Sequence, residues 1–235
     1  MKKHIVILTG AGMSAESGIA TFRDSGGLWE NHKVEDVATP EGFRRNPQLV
    51  LDFYNGRRRE LLNAKPNRGH ELIAGMEKDY NVTVITQNVD NLHEKAGSSN
   101  VVHLHGELMK VRSTGNPYYI KILGADNIDV NLGDKCPAGY QLRPHIVWFG
   151  EAVPMIEKAA EIVSAADIMV VIGTSLNVYP AAGLLDVAPR GIPLFLIDPK
   201  PVGVHRQDVR QIQRGASEGM AELVEVLRGI TKRLS

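Results

Sequence analysis

Along this chain, apolar and β-branched residues gather into short runs, and most runs end in a polar cluster that contains or adjoins glycine. Residues 5–8, 82–86, 101–104, 146–149, 168–172 and 194–197 show little polar alternation, as expected of strands covered on both faces in a parallel sheet. Between several of them the apolar spacing turns helical. Residues 66–78 set Leu72, Ile73 and Met76 on one face, 155–165 form a second such segment, and 220–234 close the chain. Strands alternating with helices predict an α/β protein built on a Rossmann-like, doubly wound parallel sheet.

Two stretches break the alternation. Residues 24–63 read as a loop followed by helices, and 109–144 are rich in Gly, Asn, Pro and Asp with weak periodicity. Insertions of that length are expected to form a second, smaller domain. The expected division assigns 1–23, 80–108 and 144–235 to the large domain. A helical module, 24–79, and a small module, 109–143, make up the other. A ligand cleft between the two follows from that layout.

Composition narrows the function. The chain has 235 residues, 43% hydrophobic and 23% charged, with zero formal net charge. Such a balance leaves no general electrostatic footprint for nucleic acid. No run approaches the roughly 18 apolar residues of a membrane helix, and the N-terminus lacks the apolar core of a signal peptide. A cytoplasmic protein is the expectation, with no membrane partner. Oligomeric state is left open, a monomer being favoured. The single cysteine, Cys136, excludes an internal disulfide. The charge runs Arg44–Arg45 and Arg57–Arg59 read at first as solvated helix faces.

The polar clusters carry the chemistry, because open α/β sheets bind ligands at the carboxyl ends of their strands. Gly10-Ala-Gly-Met-Ser-Ala15 fits the G-x-G-x-x-G/A dinucleotide fingerprint. Gly10 permits a tight turn, Gly12 lets backbone approach a pyrophosphate, and a following helix would offer its N-terminus to the anion. A dehydrogenase would next show a second strand and a ribose-binding acid about 20 residues on. Here Phe22-Arg-Asp-Ser-Gly-Gly-Leu-Trp29 is turn-like instead, so the nucleotide is held differently, under a covering loop. His103 and His105 fall on one side of their strand. His105 lies nearer the carboxyl end and precedes Gly106. Gln87, Asn88 and Asp90 are suited to orient a ribose and a carboxamide, or to cap a helix starting near Asn91.

Several motifs in order resemble the sirtuin family. They are Gly-Ala-Gly-Met-Ser-Ala-Glu-Ser-Gly-Ile-Ala-Thr-Phe-Arg (10–23), Thr-Gln-Asn-Val-Asp-Asn-Leu-His (86–93) and His-Leu-His-Gly-Glu (103–107). Pro-His-Ile-Val-Trp-Phe-Gly-Glu (144–151) and Gly-Thr-Ser-Leu-Asn-Val-Tyr-Pro-Ala-Ala-Gly (173–183) follow. The resemblance implies a Rossmann-like large domain, a small domain with helical and zinc modules, and NAD consumed as co-substrate to remove acyl groups from protein lysines. It assigns Gly10, Ala11, Gly12, Ser14, Ala15, Glu16, Phe22 and Arg23 to the NAD loop. Gln87, Asn88 and Asp90 go to the nicotinamide ribose and carboxamide, and Gly173, Thr174 and Ser175 towards adenosine. Asp198 and Ala216 fall where the family contacts adenosine, although Asp198 stands where Asn is expected. Val147, Trp148, Phe149 and Gly150 match the stretch that lines the acyl-lysine tunnel and pairs with peptide backbone. His105 matches the general base. In the implied reaction the amide oxygen attacks the ribose C1′ and nicotinamide leaves. A ribose hydroxyl, deprotonated by His105, then attacks, and water completes the release of lysine and acyl-ADP-ribose. The same NAD site would serve mono-ADP-ribosyl transfer to a protein, which is the alternative, and a third reading is a non-enzymatic NAD-binding regulator.

Two departures bear on subtype. Tyr54 and Arg57 are i and i+3 on a helix, where a phenol and a guanidinium can grip one carboxylate. This resembles the Tyr-x-x-Arg pair of sirtuins that remove succinyl-type groups. The family's small domain carries two Cys-x-x-Cys pairs around zinc, whereas 109–144 holds only Cys136, with Ser113 where a first cysteine is expected. No zinc is expected, and Tyr118, Tyr119, Ile120, Ile122 and Leu123 are the residues expected to pack that module instead.

Overall fold

The computed structural model describes residues 2–19, 28–29 and 32–234. In chain order the strands are β1 (His4–Thr9), β2 (Leu28–Trp29), β3 (His32–Lys33), β4 (Asn81–Thr86), β5 (Val101–His103), β6 (Gly106–Ser113), β7 (Ile120–Ile122), β8 (Leu142–Ile146), β9 (Ile168–Ile172), β10 (Leu194–Ile197) and β11 (Val209–Ile212). The helices are α1 (Val34–Val37), α2 (Pro40–Arg45), α3 (Pro47–Asn63), α4 (Arg68–Gly75), α5 (Leu92–Lys95), α6 (Ile156–Ser164), α7 (Leu184–Val187) and α8 (Ala216–Leu234).

The larger sheet is parallel throughout, in the order β11-β10-β9-β1-β4-β5. Alternate residues of each strand feed two apolar layers. Ile5, Ile7, Val82, Val84, Ile168 and Val170 pack under α4 and α8, meeting Ile73, Met220 and Leu223. Val6, Leu8, Ile85, Met169 and Val171 face α6 and α7, meeting Val163, Leu184 and Leu185. This is the Rossmann-like doubly wound architecture. One expected strand is misplaced. The run 146–149 lies outside this sheet; its first residue ends β8, which pairs antiparallel with β6 in the separate sheet β7-β6-β8. The outer position is held by β11, whose Val-Arg-Gln-Ile is half solvated because it is an edge, so it shows no apolar run. Helix α4 packs on the main sheet and α8, so residues from Arg68 onward sit with the large layer rather than with the helical segments before them.

Helix α3 starts where local chemistry dictates: Asn46 Oδ1 accepts from Leu49 N at 3.1 Å, and Pro47 occupies the first turn. Its apolar face joins α1, Leu108, Ile146 and Trp148 in a third core. A fourth core fills the β7-β6-β8 module with Leu51, Val111, Leu123, Val130, Cys136 and Leu142. The packing expected of Tyr118, Ile120 and Ile122 does not occur. Tyr118 is 93% exposed and the two isoleucines are also on the surface; only Leu123 is buried there, with Tyr119 partly so. Helix α3 fastens the module with polar side chains. Asn55 Oδ1 accepts from Val130 N at 2.9 Å and its Nδ2 donates to Val130 O at 3.1 Å. Arg58, fully buried, donates to Ile128 O at 2.7 Å, to Leu108 O at 3.5 Å and to Asn55. The run Arg57–Arg59 is therefore no solvated face: Arg57 and Arg58 are buried and only Arg59 is exposed.

Candidate active site

The strand order reverses direction between β1 and β9, and the glycines that follow these strands meet there. Gly10 N donates to Ile172 O and Gly12 N to Gly173 O, both at 2.9 Å. A Cβ on Gly12 would stand 2.7 Å from Gly173 Cα, and Gly173 has φ +63°, so each position needs glycine. Among the described residues, no α-helix follows this loop directly. Ala11–Met13 and Ala15–Ser17 are single 3₁₀ turns, so close backbone approach, and no helix dipole, is what the loop offers a phosphate.

A cavity of about 830 Å³ opens over this point. Its lining includes Gly10, Ala11, Gly12, Ser14, Ala15, Glu16, Gln87, Asn88, Asp90, His105, Gly173, Thr174, Ser175 and Asp198. Tyr54, Arg57, Val147, Trp148, Phe149 and Gly150 line it as well. Ala216 is not among the lining residues; it is buried against the α4–α8 layer, and Gly215 lines the cavity in its place. Phe22 and Arg23 lie outside the described residues. Glu16 has a second task, accepting from Ser217 N at 3.1 Å at the start of α8.

Asn88, Ser14 and Asp90 form one hydrogen-bonded group. Asn88 Nδ2 donates to Gly10 O at 3.0 Å and to Ser14 Oγ at 3.1 Å, and Ser14 Oγ donates to Asp90 Oδ2 at 2.9 Å. Asp90 Oδ1 also accepts from Leu92 N, the first residue of α5, at 3.1 Å, which is the helix-end role the sequence allowed. Burial pushes its carboxyl pKa up, against the bonds from Leu92 and Ser14. Gln87 Nε2 donates to Thr174 Oγ1 at 3.2 Å, joining the ends of β4 and β9.

Hydrogen-bond partners separate the two histidines. His105 Nδ1 lies 3.0 Å from Gln87 O. A carbonyl only accepts, so Nδ1 carries the hydrogen and Nε2 keeps its lone pair, on a residue that lines the cavity. Burial lowers its pKa, against the bond to Gln87, so the ring is neutral near pH 7. His103 instead places both nitrogens on oxygens, Asn88 O at 3.2 Å and Glu94 Oε1 at 2.7 Å. Burial alone would lower its pKa, but the Glu94 carboxylate outweighs it and the net shift is upward. His103 is an ion-pairing residue and does not line the cavity.

Around Tyr54, Trp148 and Glu151 the cavity is backed by a polar network that composition did not reveal. Trp148 Nε1 donates to Tyr54 Oη at 3.0 Å, and Trp148 N donates to Glu151 Oε2 at 2.8 Å. Glu151 also takes Arg112 at 2.9 Å and Arg143 at 2.7 Å, while the Arg143 guanidinium lies 3.3 Å over the indole. Arg57 is buried beside Glu60 at 3.4 Å; burial lowers its pKa, against the Glu60 and Asp90 carboxylates. Burial raises the Tyr54 pKa, so the phenol is neutral. Arg112 and Arg143 were missed, and Glu151 was noted only as the end of the 144–151 motif, because nothing local marks an arginine 39 positions away as its partner.

The β7-β6-β8 module does not fit a structural zinc. Its one thiol, Cys136 Sγ, lies 3.3 Å from Ser113 Oγ, and the rest of that pocket is apolar. A structural zinc takes four Cys or His ligands. Among the described residues, no group of three or more His, Cys, Asp or Glu side chains could hold a metal.

Fold and site together define a dinucleotide-binding α/β protein with a neutral histidine at the switch-point cleft. The Sir2 family model matches residues 10–180, and the chain belongs to the Sir2 family. It is 63% identical over 229 residues to an NAD-dependent protein deacylase of Bacteroides thetaiotaomicron, covering 96% of this chain and 98% of the relative. It is 51% identical over 226 residues to one of Helicobacter pylori, covering 96% and 97%. A Sir2 homologue mutant solved with ADP-ribose superposes with a TM-score of 0.89 at 38% identity, covering 98% of this chain and 94% of that one. A Sir2 homologue–NAD complex gives 0.86 at 40% identity, covering 100% and 91%.

Proposed function

We propose that this chain is an NAD-dependent protein-lysine deacylase that removes acetyl and succinyl-type groups, releasing nicotinamide and acyl-ADP-ribose. The observation that carries the reading is the cavity itself. Its lining includes both a histidine whose Nε2 lone pair is kept available by the Gln87 carbonyl and the Tyr54–Arg57 pair. NAD is the co-substrate, and its ribose supplies the electrophilic carbon and the hydroxyl. Gly10, Gly12 and Gly173 allow pyrophosphate to approach backbone, and Asn88 and Asp90 hold the nicotinamide half. His105 Nε2 takes the hydroxyl proton, for which a neutral imidazole is required.

An acyl group ending in a carboxylate would meet Arg57 and the Tyr54 hydroxyl. Tyr54 accepts from Trp148, and burial keeps its phenol protonated. Glu60, 61% exposed, is the solvated partner that such a carboxylate would replace on Arg57. Val147–Gly150 would pair with the substrate backbone as an added strand. In the domain division that accompanies this reading, the small domain comprises the helical segments before Arg68 and the β7-β6-β8 module.

The test is a panel of acetyl-, succinyl- and unmodified-lysine peptides incubated with NAD, scored by mass for nicotinamide and for loss of the acyl group. Both acylated peptides are expected to be cleaved with equimolar nicotinamide. A target that gains ADP-ribose without losing acyl would overturn the reading in favour of ADP-ribosyl transfer.

A further inference from the structure

Beneath the glycine loop lies a buried polar line that the proposed chemistry does not use. Thr9 and Thr86 end the neighbouring strands β1 and β4 in register, and Thr9 Oγ1 donates to Thr86 Oγ1 at 2.8 Å. Thr86 Oγ1 also receives the Asn88 amide N–H at 3.0 Å. That amide belongs to the turn whose Gln87 carbonyl fixes the His105 tautomer and whose Asn88 side chain holds Gly10 and Ser14. On the other side, His93 Nε2 lies 3.1 Å from Thr9 Oγ1.

The hydrogens can be assigned from the partners. Thr9 spends its one hydrogen on Thr86, so it accepts from His93, and His93 carries its hydrogen on Nε2. His93 Nδ1 is then a bare acceptor, and it is buried without a partner. The ring of His70 packs against it, centroids 4.7 Å apart at 62°. His70 Nδ1 accepts from Asn67 N at 3.3 Å, so its hydrogen is on Nε2, also buried without a partner. One leftover donor and one leftover acceptor on adjoining rings are complementary. With the line reversed, His93 Nδ1 would carry a hydrogen and two donors would be left together. Burial keeps both rings neutral, with His70 pushed down to about 4 and His93 to about 3.

We infer that His93, backed by His70, is a positioning residue for the reaction: through Thr9 and Thr86 it fixes the Gln87–Asn88 turn and thereby the aim of His105. The line starts at Asn67, whose Nδ2 also holds Met13 O of the glycine loop at 2.8 Å, so both sides of the cofactor cleft share one anchor. The imidazole suits this place because it passes an acceptor on one edge to a donor on the other.

The inference rests on the deacylase reading, and the experiment separates the two. His93→Leu removes the donor to Thr9, whereas His93→Gln places an amide N–H near the position of Nε2. Thr9→Val, nearly isosteric in a strand, removes the hydroxyl and guards against a misfolded His93→Leu. For His93→Leu and Thr9→Val, kcat on an acyl-peptide should fall about tenfold or more, as expected for a misaimed base. KM for NAD should stay within about threefold, His93→Gln should recover most of kcat, and the double variant should be no worse than either single one. Equal loss in His93→Leu and His93→Gln, additive losses, or unchanged kcat in folded His93→Leu would overturn the inference. So would failure of every variant to fold, which would make the line purely structural. A wild-type protein that cleaves no acyl-peptide overturns the deacylase reading and takes this inference with it.

Discussion

His103 and His105 stand on one side of one strand, yet their partners give them opposite chemistry. His105 donates to a carbonyl and keeps a basic lone pair; His103 is held between a carbonyl and a carboxylate. Replacing His105 with Ala should cut deacylation by about 10²–10⁴-fold, the usual worth of a general base. NAD affinity, measured by calorimetry, should change only a few-fold; near-native turnover would remove His105 from the mechanism. Because burial lowers the His105 pKa, the base is active above its folded value and lost as pH falls through it. The acid limb of kcat should therefore lie below pH 6.5, the ordinary histidine value, and should vanish in the residual activity of His105→Ala. An acid limb above that value would contradict the assigned environment. Arg57→Met should lose desuccinylation about ten- to hundredfold more than deacetylation, since charge-assisted hydrogen bonds are worth about 1.5–3 kcal/mol. Equal slowing of both reactions would make Arg57 structural. Motif order made the glycines, the amides and His105 legible in the sequence. The partners that set His103 apart, Glu94 among them, and the Thr9–His93 line, which needed the register of β1 and β4, are displayed by no pattern.

Helix α3 does two jobs with adjoining faces. Tyr54 and Arg57 line the cavity, while Asn55 and Arg58, one position on from each, grip the loop at 128–130. Arg58 is the stronger fastening, its guanidinium buried among carbonyls and its pKa pushed down to about 10 by burial. Arg58→Met should destabilise the protein by about 2–4 kcal/mol, the sum of lost charge-assisted bonds and carbonyls left unsatisfied. Urea unfolding with the slope unchanged measures this, and a loss below about 0.5 kcal/mol would mean the contacts are surface-like. A helix here was expected, since residues 24–63 read as a loop followed by helices. The burial of Arg58 was not, because the carbonyl at Ile128 that justifies it lies 70 positions away, and a charge run read locally is a solvated face.

At the scale of the whole molecule, the apolar runs located every strand of the parallel sheet except β11. That edge strand is half solvated and so lacks the run that marks its neighbours. The run at 146–149 was misassigned for a related reason: its apolar residues line the cavity and pack in the core under α1 and α3 rather than in a sheet covered on both faces. The module is where the family pattern and this chain part most sharply. The sirtuin resemblance implied two Cys-x-x-Cys pairs around a zinc in this module, and a structural zinc can supply about 10–16 kcal/mol of folding free energy. Here that contribution must come from the apolar cluster of Leu51, Val111, Val130, Cys136 and Leu142 and from Asn55 and Arg58. Cys136 and Ser113 at 3.3 Å are a thiol and a hydroxyl in contact, a donor set too small and too weak for the metal. Purified protein should accordingly contain well under one zinc per chain by elemental analysis. Its thermal midpoint should shift by less than about 1 °C on prolonged exposure to a strong chelator, because no binding free energy is removed. One tightly held zinc per chain, with the midpoint collapsing on chelation, would show that the module is metal-held after all and that Arg58 is not its principal fastening.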